Sequence, residues 1–428
     1  MDKNNGLGLF KSLAYSSGNL GTLLISQLMV MWLVFFYTAA EGKAYAAVLL
    51  VGYAIFFGRI VDAIADPIVG YFSDKSRSRL GRRIPFIAVG TPFLGLSWVL
   101  LFYPPAADEA VINVLYLAAV TGFFWIFFTI VVAPYLALLP EIVSSHRQRI
   151  NLATYQAYFG ILGLFIAFLG SGYLIEHFGF RIMAIAMGAI TFLSFCAPVL
   201  FIRETPWSAA KEVDLSFTNA VSQCFRNKPF LYYVLGFSFF AMMGLSVVTA
   251  GVPFIVTVLM KAPVAWAGYA LGIMLGVSFL FFPVINYSAK RWGKRVVFAA
   301  ILLLMSICFF LLATIGKLPL PPFYHGLFLI ALAGIPVSGI FVLANPLLAD
   351  IIDRDEAATG FRREAIYFGA RGLIEKTAIG FSALSLTQLL HGFGKTIEEP
   401  LGVTLIGVVA GIIAFIGFLI FRRYPLEK

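Results

Sequence analysis

From end to end the chain alternates long apolar runs with short polar breaks. A helix of about 20 apolar residues crosses a ~30 Å hydrocarbon layer, and twelve runs are long enough: roughly 12–38, 45–73, 84–103, 110–140, 150–176, 180–203, 228–260, 264–289, 296–315, 323–350, 364–392 and 399–421. The breaks leave no room for a soluble catalytic domain. The first run is longer than a signal-peptide core and lacks a small-residue cleavage site, so it reads as the first spanning helix. The least hydrophobic break runs from Arg203 to Lys228 and carries Lys211, Glu212, Asp214 and Arg226, with Pro229 at its edge. Six runs precede it and six follow. The expected organisation is therefore a six-helix bundle over 1–203, a connector over 204–227 and a second bundle over 228–428.

The two halves repeat at a constant offset of 212 residues. Arg79 pairs with Arg291, Gly81 with Gly293, Arg82 with Lys294, Arg83 with Arg295 and Phe86 with Phe298. Further on, Pro134 pairs with Pro346, Ala137 with Ala349 and Glu141 with Asp353. Two separate regions matching at one offset indicate an internal repeat. Parallel six-helix repeats in one chain are the architecture of major facilitator transporters, with substrate bound between the halves near the midplane. The expected fold is an all-α integral membrane protein of twelve transmembrane helices in two pseudo-symmetric six-helix bundles.

Charges interrupt the apolar pattern at two places. In the second run Arg59, Asp62 and Asp66 are spaced i, i+3, i+7, which puts them on one helix face. Charges at membrane depth cost roughly 2.5–3.5 kcal/mol each on insertion scales, so they read first as a functional site. One Arg cannot neutralise two carboxylates, so a proton, a metal cation or a Lys from another helix must compensate the second. At the repeat offset the three become Leu271, Met274 and Ser278; the acidic site is no requirement of the scaffold. The eleventh run holds Arg371, Glu375 and Lys376. At 1.5 Å per residue, Asp62 and Lys376 lie about 20 Å, and Asp66 and Arg371 about 12–13 Å, from the same membrane surface. Arg371 and Glu375 share a face at i, i+4, while Lys376 is rotated about 100° away. The reading is that Arg371 satisfies Glu375 and Lys376 faces the Asp pair, responding to a bound cation. Arg59 would tune the acids.

Composition agrees with a membrane protein: 61% hydrophobic and only 12% charged residues, against roughly 25% charged in soluble domains. The net charge of +10 does not indicate nucleic acid. With the N-terminus taken as cytoplasmic, only Lys43, Arg181, Lys261, Lys317 and Lys395 of the 31 Lys and Arg fall in opposite loops, and Arg59, Arg371 and Lys376 lie within spans. That is the positive-inside asymmetry, with both termini cytoplasmic in a plasma or inner membrane and basic loops facing anionic lipid. Cys196, Cys224 and Cys308 imply no disulfide framework. His146, His177, His325 and His391 form no cluster with metal-ligand spacing, so no metal is expected beyond a Na+ at Asp62 and Asp66.

The stretch Arg59-x-x-Asp62-x-x-x-Asp66-Pro67-x-x-Gly70, then Arg77-x-Arg79-x-Gly81, Leu348-Ala349-Asp350, and Arg363-Glu364 with Lys376 twelve residues on, resembles the glycoside–pentoside–hexuronide:cation symporter family over nearly the whole chain. The loop Gly70, Asp74, Arg79, Gly81, Arg82, Arg83 is similar to the superfamily signature between helices 2 and 3 and would serve as a gating charge lock. The resemblance implies a cavity bounded by helices 1, 2, 4, 5, 7, 8, 10 and 11, a cation site at Asp62 and Asp66 with the Thr129 hydroxyl, and a coupling role for Lys376. Members resembling melibiose permease grip sugar hydroxyls with Asp residues on helices 1 and 4 and an Arg on helix 5. Here those positions read as the Leu23 region, Val132 and Gln156. Sodium-using members often carry an Asn where this chain has Ala65, leaving both H+ and Na+ open. Ala133 to Leu138 and Glu364 to Phe368 also look like the animal lysophosphatidylcholine symporters.

No nucleophile–base pair or metal cluster suggests an enzyme, and an acidic site occurring once per chain is unlike a channel filter. The expectation is a cation-coupled symporter, working as a monomer without cofactors, for a glycoside or related small organic solute. A lysolipid transporter, or a gradient-independent scramblase, is the alternative. Asn19, Gln27 and Gln156 offer polar contacts to a sugar; Arg59 or Arg371 offers a charge to a phosphate headgroup. Trp125, Tyr155, Tyr158 and Tyr367 are candidates for lining a cavity or for packing.

Overall fold

The computed structural model describes residues 7–39, 42–76, 78, 81–143, 145–204, 224–360 and 363–425. Twelve helices run through them. The first unit, Met1–Ala210, holds α1 (Leu9–Ala39), α2 (Val48–Lys75), α3 (Ile84–Leu100), α4 (Val111–Ile142), α5 (146–178) and α6 (180–201). The second, Lys211–Lys428, holds α7 (Lys228–Leu259), α8 (Trp266–Trp292), α9 (Lys294–Leu312), α10 (Pro322–Thr359), α11 (Glu364–Phe393) and α12 (Leu401–Phe421). Helices α5 and α6 are nearly continuous; Gly179, at φ +79°, makes the break between them. Among the described residues no strand occurs, and Ser78 and Gly81 form an isolated bridge.

The packing repeats as the sequence does. In the first unit α4 packs against α2 and α3, α1 against α5 and α6, and α3 against α6; in the second α10 packs against α8 and α9, α7 against α11 and α12, and α9 against α12. Each partnership recurs six helices later. Prolines inside α4 and α10, Pro134 and Pro346, remove the same backbone hydrogen bond in both repeats.

Helix α2 is polar inward and apolar outward. Arg59, Asp62, Ala65, Val69 and Ser73 are buried, while Phe57, Ile60, Ile64, Ile68 and Tyr71 are exposed. Both sets follow the i, i+3, i+4, i+7 spacing of a helix face. In lipid the outward set faces hydrocarbon and the charges face protein, the arrangement under which intramembrane charges persist.

Candidate functional site

Two helices build the acidic site. Asp62 is completely buried and Asp66 half-buried on α2, and Thr129 is the α4 residue opposite them. The Thr129 Oγ1 lies 3.1 Å from Asp62 Oδ1 and 3.1 Å from Asp66 Oδ1. One turn away along the same pair of helices, Arg59 sits over the Trp125 ring, its Cζ 3.6 Å from the centroid, with Nη1 3.4 Å from Asp62 Oδ2. The i, i+3, i+7 spacing on α2 meets the i, i+4 spacing of Trp125 and Thr129 on α4. Five predicted site residues come together in this way.

The chemistry follows from counting protons. A hydroxyl has one proton to donate, yet the Thr129 oxygen has a carboxylate oxygen at hydrogen-bond distance on each side. With both acids ionised, one of those contacts sets lone pair against lone pair. A proton on one carboxyl, or a cation among the three oxygens, removes the conflict.

Other predicted residues occupy different places. Asn19 donates to the Gln156 backbone oxygen at 2.8 Å. The Gln156 side chain donates to the hydroxyls of Tyr135, at 3.0 Å, and Tyr15, at 3.4 Å, and Tyr15 donates to the Tyr135 carbonyl at 2.8 Å. Asn19 and Gln156 thus tie α1, α4 and α5 together. Tyr155 is half-buried beside Gln156, and Tyr158 is exposed. On α11, Arg371 pairs with Glu375 at 2.6 Å and donates to Asn345 Oδ1 at 2.7 Å; Lys376 is half-buried. Tyr367 is buried and accepts from Asn227 at 2.9 Å.

The loop after α2 forms a second cluster. Arg83 pairs with Asp74 at 2.6 Å and Glu141 at 3.2 Å and donates to Ser73 at 2.7 Å; Arg82 pairs with Glu141 at 2.5 Å. Gly70 has open space about its α-carbon, and Arg79 lies outside the described residues. Sequence reasoning missed Glu204, just past α6. Its carboxylate accepts the backbone N–H groups of Arg83 and Ile84, both at 2.6 Å, and that of Arg82. It caps the start of α3, where a helix has unsatisfied N–H groups and favours negative charge. Gly81 has φ +110°, and a Cβ there would meet the Glu204 carboxylate. An acid immediately after an apolar run, on an otherwise basic edge, was the available signal.

Twelve helices repeating six by six are the architecture of secondary transporters of the major facilitator type. A family model described as MFS/sugar transport protein matches residues 14–428, and the chain belongs to that family of membrane symporters. It is 25% identical to an isoprimeverose transporter of Lactiplantibacillus pentosus, over 89% of this chain and 79% of that protein. It is 24% identical to the sodium-dependent lysophosphatidylcholine symporter 1 of Xenopus tropicalis, over 90% and 80% respectively. A D-xylose-proton symporter of known structure superposes with a TM-score of 0.71 at 15% identity, covering 98% of this chain and 97% of that one; this likeness concerns the fold.

Proposed function

We propose that the protein is an H+-coupled symporter of a glycoside or related small organic solute. The observation that carries the coupling is the single Thr129 hydroxyl between two carboxylates. A proton on Asp66 turns that acid into a donor to Thr129, and Thr129 then donates to Asp62, which stays ionised beside Arg59. Every hydrogen-bond direction at Thr129 is then satisfied. Ala65 supplies no side-chain oxygen for a metal ion. The family description and the isoprimeverose transporter support the sugar side. The second reading, Na+-coupled transport of a lysolipid, is favoured by the name of the Xenopus relative and by the absence of carboxylates at the Leu23 region and Val132.

Lys376 takes the coupling role that the resemblance implies, and the Asp74, Arg82, Arg83, Glu141 and Glu204 cluster acts as the gating lock. Both termini lie in the cytoplasm, by the placement of basic residues. Reconstituted vesicles test the proposal. Uptake of a glycoside that follows an imposed pH gradient and ignores Na+ replacement is the expected result. Na+-driven lysolipid uptake would transfer the function to the second reading, and lipid equilibration indifferent to either gradient would mean a scramblase.

A further inference from the structure

Trp125 is an unexpected residue beside a cation site. Its ring is buried, and its Nε1–H has no hydrogen-bond partner among the described residues. A phenylalanine would fill most of the same space without an orphaned donor. The indole is instead seated against the α2 backbone: an ideal Cβ on Gly58 would lie 3.1 Å from Trp125 Cδ1 and 3.0 Å from Thr121 Cβ. A Cβ at that position, one residue before Arg59, would press on the ring.

The ring's contact is the Arg59 guanidinium, 3.6 Å from the centroid. Cations bind aromatic faces most strongly on tryptophan, and more so away from water. The ion pair beside it is long. Arg59 Nη1 stands 3.4 Å from Asp62 Oδ2, where charge-assisted hydrogen bonds close to about 2.7–2.9 Å. Arg371 shows the contrast within the same protein. Its nearest ring centroids are 5.4 and 5.9 Å away, and its pair with Glu375 closes to 2.6 Å.

We propose that Trp125 is a positioning residue of the cation site: its ring holds Arg59 back from Asp62 and Asp66, so that the guanidinium competes less with the coupling cation. The inference rests on the cation-site reading above. Without the ring, Arg59 closes on the acids and acts as a tethered internal cation. Within the first unit, Arg59, Asp62 and Asp66 are the charged residues of this stretch of α2, α4 carries none before Glu141, and α1 carries Lys11 near its start. Asp62 and Asp66 have contacts besides Arg59 and Thr129, and the Arg59→Gln background isolates the ring's effect from them.

The test is cation-dependent thermal stability of the purified full-length protein, since a ligand of the native state raises the unfolding temperature as its concentration passes its Kd. Na+ at fixed pH and H+ at fixed Na+ are titrated, and the part of the response abolished by Asp66→Asn is assigned to the site. If the wild-type protein has no such part, the cation-site reading fails, and this inference with it. Given a wild-type response, Trp125→Leu should raise the half-saturating cation concentration about tenfold and Trp125→Phe about threefold, following the loss of the cation–π contact. Both effects should vanish in an Arg59→Gln background, because the ring acts through the guanidinium. An unchanged midpoint in Trp125→Leu, or an equal shift with and without Arg59, overturns the proposal while leaving the cation site standing. If Trp125→Leu does not purify folded, the threefold shift of Trp125→Phe and its disappearance in Arg59→Gln carry the same decision.

Discussion

Helices α2 and α4 pack as α8 and α10 do, yet the charged positions at the centre of the first pair have no charged counterparts in the second. Arg59, Asp62, Asp66, Trp125 and Thr129 correspond to Leu271, Met274, Ser278, Val337 and Phe341 at the repeat offset. Leu271, Met274 and Val337 are buried apolar side chains, and Ser278 is buried with a hydroxyl that finds no hydrogen-bond partner among the described residues. The α8–α10 pair therefore packs with no ionisable residue at these positions. The acids of α2 are a burden the repeat does without, and the proposed cation site gives them a role.

Substitutions that erase the difference should have the largest effects. Asp66→Asn should abolish gradient-driven accumulation in vesicles. Asp62→Asn should do the same and also lower stability, by about 3 kcal/mol, because a buried Arg59 loses its carboxylate; denaturation of the purified variant reads this. Thr129→Val removes the hydroxyl shared by both acids. It should weaken cation binding by roughly 10–100-fold, the range for a lost hydrogen bond to a charged group, measured as the midpoint of the cation titration.

The two loops sharpen the comparison at smaller magnitude. Gly81 and Gly293 are repeat counterparts with φ +110° and +85°, but only Gly81 has a neighbour that a Cβ would strike, the Glu204 carboxylate. In the second unit Lys294 pairs with Asp350 at 2.6 Å and Arg295 donates to the Arg422 carbonyl at 2.9 Å, so its loop is held by other contacts. Gly293→Ala should cost about 1 kcal/mol or more, because its positive φ with an extended ψ is a conformation that L-residues rarely adopt. Gly81→Ala should cost about 2 kcal/mol or more, since the α3 cap must also move. Equal losses of unfolding temperature would contradict the role given to Glu204. Smallest of all, Ser278→Ala should leave stability within about 0.5 kcal/mol or raise it, because it deletes an unpartnered buried hydroxyl.

Much of this was legible in the sequence because membranes impose periodic signals. Apolar runs marked the helices, and the spacing of Arg59, Asp62 and Asp66 marked a face. Helix α11 was legible as a span although Arg371, Glu375 and Lys376 interrupt its apolar pattern. Thr129 came through family resemblance, since a lone hydroxyl in an apolar run has no pattern of its own. Glu204 was not found because its partners are backbone N–H groups, which no side chain announces. Trp125 was ambiguous for a similar reason: an aromatic at helical spacing looks the same whether it packs or stacks on a guanidinium. Asn19 read as a candidate substrate contact from polarity and Gln156 from polarity and the resemblance; the structure adds that both join α1 to its neighbours.

The central claim is that Asp62 and Asp66 of α2, with Thr129 of α4, carry the coupling ion. The most direct measurement is external pH during solute entry into weakly buffered vesicles, with Na+ absent, for wild type and Asp66→Asn. The account predicts alkalinisation on addition of a transported glycoside for the wild-type protein and none for the variant. Equal alkalinisation by both would contradict it.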